Sequence, residues 1–288
     1  MSDHGHEHGI RHTAGPLDGF RVVVTGKGGV GKTSLTALLA GLLGRRDYAV
    51  LTVDSDPQMN LPYALGLPFD QAREIVPLSR NADYVEEKTG ARPGEGWGLL
   101  FRLNPDVRDV VDRFAVPAND RIRVLAMGTV TVPAAGCLCP ENALLDAIVG
   151  DLSLRDDEVI LMDTQAGVEH FGRAIAKGFH QAVVLSDPTF NGIQVAVNTA
   201  RLARGLDIPA VHLVINRVRK AEDVERTLGR IEAEGGFSFT SLHALPFDER
   251  VLETEPDLSS LFDGSHTPFT DGVTQLCDIL IKTEQELS

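Results

Sequence analysis

Seven short, nearly continuous apolar runs recur along the chain: RVVVTG (21–26), YAVLTVD (48–54), RIRVLAMG (121–128), EVILMD (158–163), QAVVLSD (181–187), AVHLVIN (210–216) and SLHALP (241–246). They are rich in β-branched residues and mostly lack polar alternation, the pattern of strands buried on both faces. Between most of them lie amphipathic segments, such as Leu35 to Leu43, Asn142 to Val149 and Gly192 to Leu206, which predict helices. Strand and helix in alternation predict an α/β fold: a doubly wound, mainly parallel sheet with helices on both faces. Residues 20–288 are expected to form a single domain of this kind, preceded by a disordered tail over 1–19. The stretch from about 66 to 120 departs from the alternation. It is rich in Pro, Gly and charge, as in KTGARPGEGWG, and predicts an irregular excursion of turns and short helices.

Composition narrows the setting. No apolar run in the 288 residues approaches the ~18 residues of a membrane span. The N-terminal MSDHGHEHGIRH lacks the apolar centre of a signal peptide, so a cytoplasmic location is expected, where thiols stay reduced. The net charge of −14 argues against nucleic acid and against a membrane surface as partners, since both select basic patches.

The most specific local signal is VVVTGKGGVGKTSLTALLA. It fits G-x-x-x-x-G-K-[ST] from Gly26 through Gly31, Lys32 and Thr33, between a strand and a helix. Glycines let successive amides curl toward phosphate oxygens, and the helix beginning near Gly31 adds its N-terminal dipole. The run Gly28, Gly29, Val30, Gly31, Lys32, Thr33 and Ser34 is therefore expected to cradle a nucleotide. Lys32 would reach the β- and γ-phosphates, and the Thr33 hydroxyl would bind Mg2+.

A second lysine, Lys27, precedes the glycines, giving KGGVGKT. The loop resembles the deviant Walker A motif of the MinD/ParA/nitrogenase-iron-protein class of P-loop ATPases. That resemblance implies that Lys27 crosses a dimer interface to the partner's ATP, a cation placed where phosphoryl charge develops. Two further stretches match the class. VDSDPQMNL implies that Asp56 positions the attacking water and that Asp54 lies near the Mg2+ shell. VILMDTQAGVEHFGR resembles a Walker B strand, ending in Asp163 and followed by Gly167, whose amide would sense the γ-phosphate. Carried over likewise, Asn216 in VINR would bond adenine, and Pro246 and Asp248 in ALPFDE would line its pocket. No GTPase-type N-K-x-D follows, so ATP is the expected nucleotide.

Two of the three cysteines stand in AAGCLCPENALL. In extended backbone Cys137 and Cys139 face the same side and would converge on one ion. A closed thiolate site generally needs four ligands, tetrahedral for Zn2+ or planar for Ni2+. A two-fold dimer supplies them by presenting each loop to its copy. Cys277, on the apolar face of TQLCDILIK, is expected to be a buried small hydrophobe. At this point the resemblance becomes specific. MGTVTVPAAGCLCPENALLDAIV, EIVPLSRNADYVEEKTG and MDTQAGVEHFGRAIAKG, within a similarity running from about Phe20 to Arg250, look like the CooC-type maturation ATPase of nickel carbon monoxide dehydrogenase. The resemblance implies a homodimer dependent on nucleotide and metal, Ni2+ or Zn2+ held between subunits by the C-x-C loops, and nickel carbon monoxide dehydrogenase as client.

His4, His6, His8 and His12 form an alternating polar tract, a composition that suits nickel, while His170, His180, His212 and His243 sit on or near strands and read as structural. Two other functions stay open on sequence: a partitioning or positioning ATPase, and a nucleotide-gated nickel store.

Overall fold

The computed structural model describes residues 19–93, 101–128, 140–152, 158–165, 178–264 and 266–287. Its centre is one eight-stranded sheet: β1 (Arg21–Gly26), β2 (Val50–Asp54), β3 (Val116–Pro117), β4 (Ile122–Ala126), β5 (Val159–Asp163), β6 (Gln181–Ser186), β7 (Ala210–Val218) and β8 (Ser241–Pro246). The order across the sheet is β3-β4-β2-β5-β1-β6-β7-β8. Every pairing is parallel except β3 with β4. Strands β1, β2 and β6 are buried along their whole length, as their unbroken apolar runs require.

Helices cover both faces. On one lie α1 (Lys32–Arg45) and the C-terminal helix Pro268–Leu287. Their Leu35, Leu38, Leu42, Val273, Leu276 and Leu280 pack against Val22, Val24 and Leu161 of the sheet. The other face carries Pro140–Leu152 and Phe190–Gly205, whose Leu144, Ile148, Ile193 and Val197 meet Val23, Val53 and Ile160. Adjacent strand residues thus divide between two cores, as strand geometry demands.

The elements depart from the sequence pattern in three places. Tyr48 donates its amide to Leu43 O, so Tyr48 closes the turn that follows α1, and β2 begins at Val50. Strand β7 continues to Val218 through a register slip against β8 between Ile215 and Val218. The antiparallel β3 is two residues long, too short to leave a periodic signature. Within 66–120 the described residues form short helices at Phe69–Glu74, Ala82–Thr89 and Val110–Phe114 and one 3-10 turn. Among the described residues no helix is long and apolar enough to cross a membrane.

Candidate functional site

Parallel strands all end at the same edge of a sheet, and the loops there gather residues far apart in sequence. Here β1, β2, β5, β7 and β8 deliver Gly26, Asp54, Asp163, Asn216 and Pro246 to one rim. The glycine-rich loop leaves β1 and enters α1 through Gly31, whose φ of 97° lies in the left-handed region open to glycine. A Cβ at Gly31 would also stand 2.7 Å from Asn216 Nδ2. Asn216 Nδ2 donates to Val30 O at 2.8 Å, and Asn216 Oδ1 accepts from Arg217 N at 2.9 Å. The glycine is thus required by backbone and neighbour together.

Asp54 and Asp163 are register partners on adjacent parallel strands, so both carboxylates project to the α1 face, where both are buried. Asp54 accepts from the amides of Asp56 at 3.0 Å and Leu61 at 3.1 Å. Asp163 Oδ2 accepts from the Thr33 hydroxyl at 2.6 Å, while Oδ1 has no hydrogen-bond partner among the described residues. Burial pushes both carboxyls well above the usual carboxylate range; the charge of Asp163 adds to the rise at Asp54, and the Thr33 hydroxyl and Lys32 oppose it at Asp163. Burial pulls the Lys32 ammonium down, against the attraction of Asp163 and Asp56, and its Nζ donates to Lys27 O at 3.2 Å. A hydroxyl and two buried carboxylates, one of them with an orphaned oxygen, form a hard-oxygen set suited to Mg2+, and a divalent charge there would offset the cost of burying two acids.

Two cavities flank this loop. The larger, about 790 Å3, is lined by Gly28, Gly29, Lys32, Thr33, Asp56 and others. The smaller, about 50 Å3, is bounded by Asn216, Pro246, Asp248 and Phe269 among others. Gly31, Ser34, Arg217 and Glu255 line both. The two cavities therefore adjoin at the P-loop. Asp248 is held by Arg250 and Thr267, which fixes the wall of the smaller cavity, and Asp56 Oδ1 accepts from Gln58 N, which orients its carboxylate in the larger.

The profile of the CobQ/CobB/MinD/ParA nucleotide binding domain matches residues 21–258. The chain belongs to this family. It is a P-loop nucleotide-binding protein of the ATPase kind, for which ATP and Mg2+ are the implied ligands. Among curated relatives, the carbon monoxide dehydrogenase accessory protein CooC of Rhodospirillum rubrum is 33% identical over 85% of this chain and 90% of its own length. An uncharacterized ATP-binding protein of Methanocaldococcus jannaschii is 37% identical over 82% and 88%. Among solved structures, the cell division ATPase MinD of Pyrococcus furiosus aligns with a TM-score of 0.63 at 21% identity, covering 94% of this chain and 100% of that one. That likeness bears out the fold read from the strand and helix alternation.

For this family member the structure brings together Gly28 to Ser34, Asp54, Asp56, Asp163, Asn216, Pro246 and Asp248, with Lys27 half-buried at the loop's start. Gly167, Cys137, Cys139, His170 and the histidines of the N-terminal tract lie outside the described residues. Cys277 is fully buried on the C-terminal helix, accepts from Arg46 at 3.1 Å and has its thiol pushed up to about 12 by burial. His180 lies between Arg21 and Glu284, and His212 between Ser241 and Gln181, at the sheet edge remote from the P-loop. Sequence reasoning did not single out Arg217, Glu255 or Phe269 as lining residues. The signal for Arg217 was its position beside Asn216 at a strand's end.

Proposed function

We propose that the chain is a homodimeric, Mg-ATP-dependent ATPase that gathers Cys137 and Cys139 from two copies around one metal ion and delivers nickel to carbon monoxide dehydrogenase during its maturation. The observation that carries this reading is the C-x-C pair within a chain similar, over 85% of its length, to a carbon monoxide dehydrogenase accessory protein. A positioning ATPase needs a basic surface for DNA or membrane, and the net charge of −14 favours the metal reading over that alternative.

In this reading Lys32 withdraws from Lys27 O to the phosphates, and the P-loop amides from Gly28 to Thr33 bind the remaining oxygens. Thr33 and Asp163 would hold magnesium, which would supply neutralising charge to the phosphates. Asp56 orients the attacking water, and Lys27 of each copy reaches the other's nucleotide. Closure of the dimer on ATP then brings four thiolates into one coordination sphere. Hydrolysis relaxes the closure and releases the cargo.

Nickel titration by calorimetry tests the clamp. The wild type should show a tight site at one metal per dimer, released protons on loading, and weakening as pH falls because thiolates must be deprotonated. The double substitution Cys137→Ser and Cys139→Ser should abolish that site while ADP binding persists. Deletion of residues 1–12 should remove only weaker sites, since four histidines at alternating and wider spacing in a polar tract offer no closed coordination set. A tight site that survives the cysteine substitutions but vanishes with the histidine tract would overturn the clamp in favour of a nickel store.

A further inference from the structure

Arg217 is exposed at the end of β7, with a left-handed φ of 60°. Of the four described non-glycine residues at positive φ, Asp47 and Asp207 close helices, where short polar residues take this conformation readily. An arginine inside a strand does not, and such strain persists only where its surroundings over-determine it. Here the surroundings are visible. Asn216 Oδ1 holds the Arg217 amide, Asn216 Nδ2 is tied to the P-loop at Val30, and β7 slips register against β8 between Ile215 and Val218. The slip takes the Arg217 side chain out of the strand's alternation.

That side chain lines both cavities, and it is the one cation among the four residues common to them. Nearby arginines are occupied: Arg219 lies over the Phe247 ring at 4.1 Å, and Arg250 is bound to Asp248 and Thr267. The Arg217 guanidinium has no hydrogen bond, ion pair or ring contact among the described residues. Arg217 shares that junction with Glu255, with no ion pair between the two among the described residues, and the P-loop beside it is built to hold phosphate. We propose that Arg217 caps the bound nucleotide, its guanidinium pairing with the α-phosphate where ribose meets the polyphosphate. The assignment rests on the reading that ATP or ADP occupies the P-loop cleft. It makes Arg217 a nucleotide-binding residue and Asn216 the residue that positions it.

The test separates side chain from backbone. Arg217→Gly accepts the left-handed conformation without cost and Arg217→Asn tolerates it, so both delete the guanidinium while leaving the bulge in place. Calorimetric titration with Mg-ADP should show each variant binding about tenfold more weakly than wild type, the worth of one charge-assisted contact. Arg217→Lys should recover part of the loss, and the wild-type advantage should shrink as salt rises above roughly 0.1 M, where exposed ion pairs are screened. Thermal unfolding without nucleotide should stay at or above the wild-type midpoint for Arg217→Gly. Binding within twofold of wild type by both Arg217→Gly and Arg217→Asn overturns the proposal, as does a loss that is independent of salt. Failure of wild-type protein to bind ADP would instead defeat the nucleotide reading itself, with Lys32→Ala as the control for that outcome.

Discussion

Asn216 joins three parts of the site, and its removal has a cost that can be worked out in advance. Its amide nitrogen donates to Val30 O at 2.8 Å and its oxygen accepts from Arg217 N at 2.9 Å. Neutral hydrogen bonds contribute a net of about 0.5–1.5 kcal/mol each, so Asn216→Ala should destabilise the nucleotide-free protein by about 1–3 kcal/mol. Urea unfolding measures this directly, as a lower midpoint at unchanged slope. Gly31→Ala attacks the same junction from the other side. Its Cβ would stand 2.7 Å from Asn216 Nδ2, on a backbone at φ 97° that costs a non-glycine residue roughly 1–2 kcal/mol. The steric share of that penalty disappears once Asn216 is alanine, whereas the backbone share does not. The double variant should therefore be more stable than the sum of the two single losses predicts, by about 1 kcal/mol, the coupling expected of residues in contact. Additive losses, or an Asn216→Ala protein that unfolds at the wild-type midpoint and binds ADP as well as wild type, would refute the claim that this side chain braces the P-loop.

Lys32→Ala should abolish ATP hydrolysis in a phosphate-release assay, while Asp56→Ala should bind ATP and turn over slower by orders of magnitude; wild-type turnover by the latter would remove Asp56 from its role. Lys27→Ala should bind ATP yet fail in hydrolysis, and mixing it with Asp56→Ala protein should restore one composite site per heterodimer; confirmed heterodimers without recovered activity would count against action in trans. His212, fully buried between Ser241 and Gln181, has its imidazole pushed down to about 4 from 6.5, chiefly by burial, with the neighbouring His243 adding to the shift. The unfolded chain therefore binds the extra proton first: the contribution is complete above about pH 6.5 and is lost as pH falls toward 4. At pH 5 the loss is on the order of 2 kcal/mol at a unit shift worth about 1.4 kcal/mol, so His212→Gln, which stays neutral, should lose less stability than wild type between pH 7 and 5; equal losses would show that His212 does not drive the acid limb.

What the sequence made legible follows a physical division. The P-loop, the acids ending β2 and β5 and the buried strands were readable because each role depends on the residue's own backbone and immediate neighbours: a glycine that must turn, a lysine at a helix start, an apolar run with no polar face. The two-residue β3 was not readable, because a strand that short has no period. Relations between distant segments were hidden. Asn216 and Val30 lie 186 positions apart, and only the sheet order that sets β1 beside β6 and β6 beside β7 brings them into contact. Arg217 was hidden for a further reason: its place in the site arises from a register slip, which shifts a side chain relative to its neighbours without changing any local pattern. The same reasoning explains why Cys137 and Cys139 could be read at all. Their spacing is local, and under the proposed clamp it offers two soft ligands where four are needed, a shortage that a second copy of the chain would meet. The second lysine of the P-loop, Lys27, points to the same copy through the family it resembles. If the proposed thiolate clamp and the proposed in-trans lysine both hold, the two loops make the same demand on assembly from unrelated chemistry, and a dimer that satisfied one without the other would break the proposed link between hydrolysis and metal transfer.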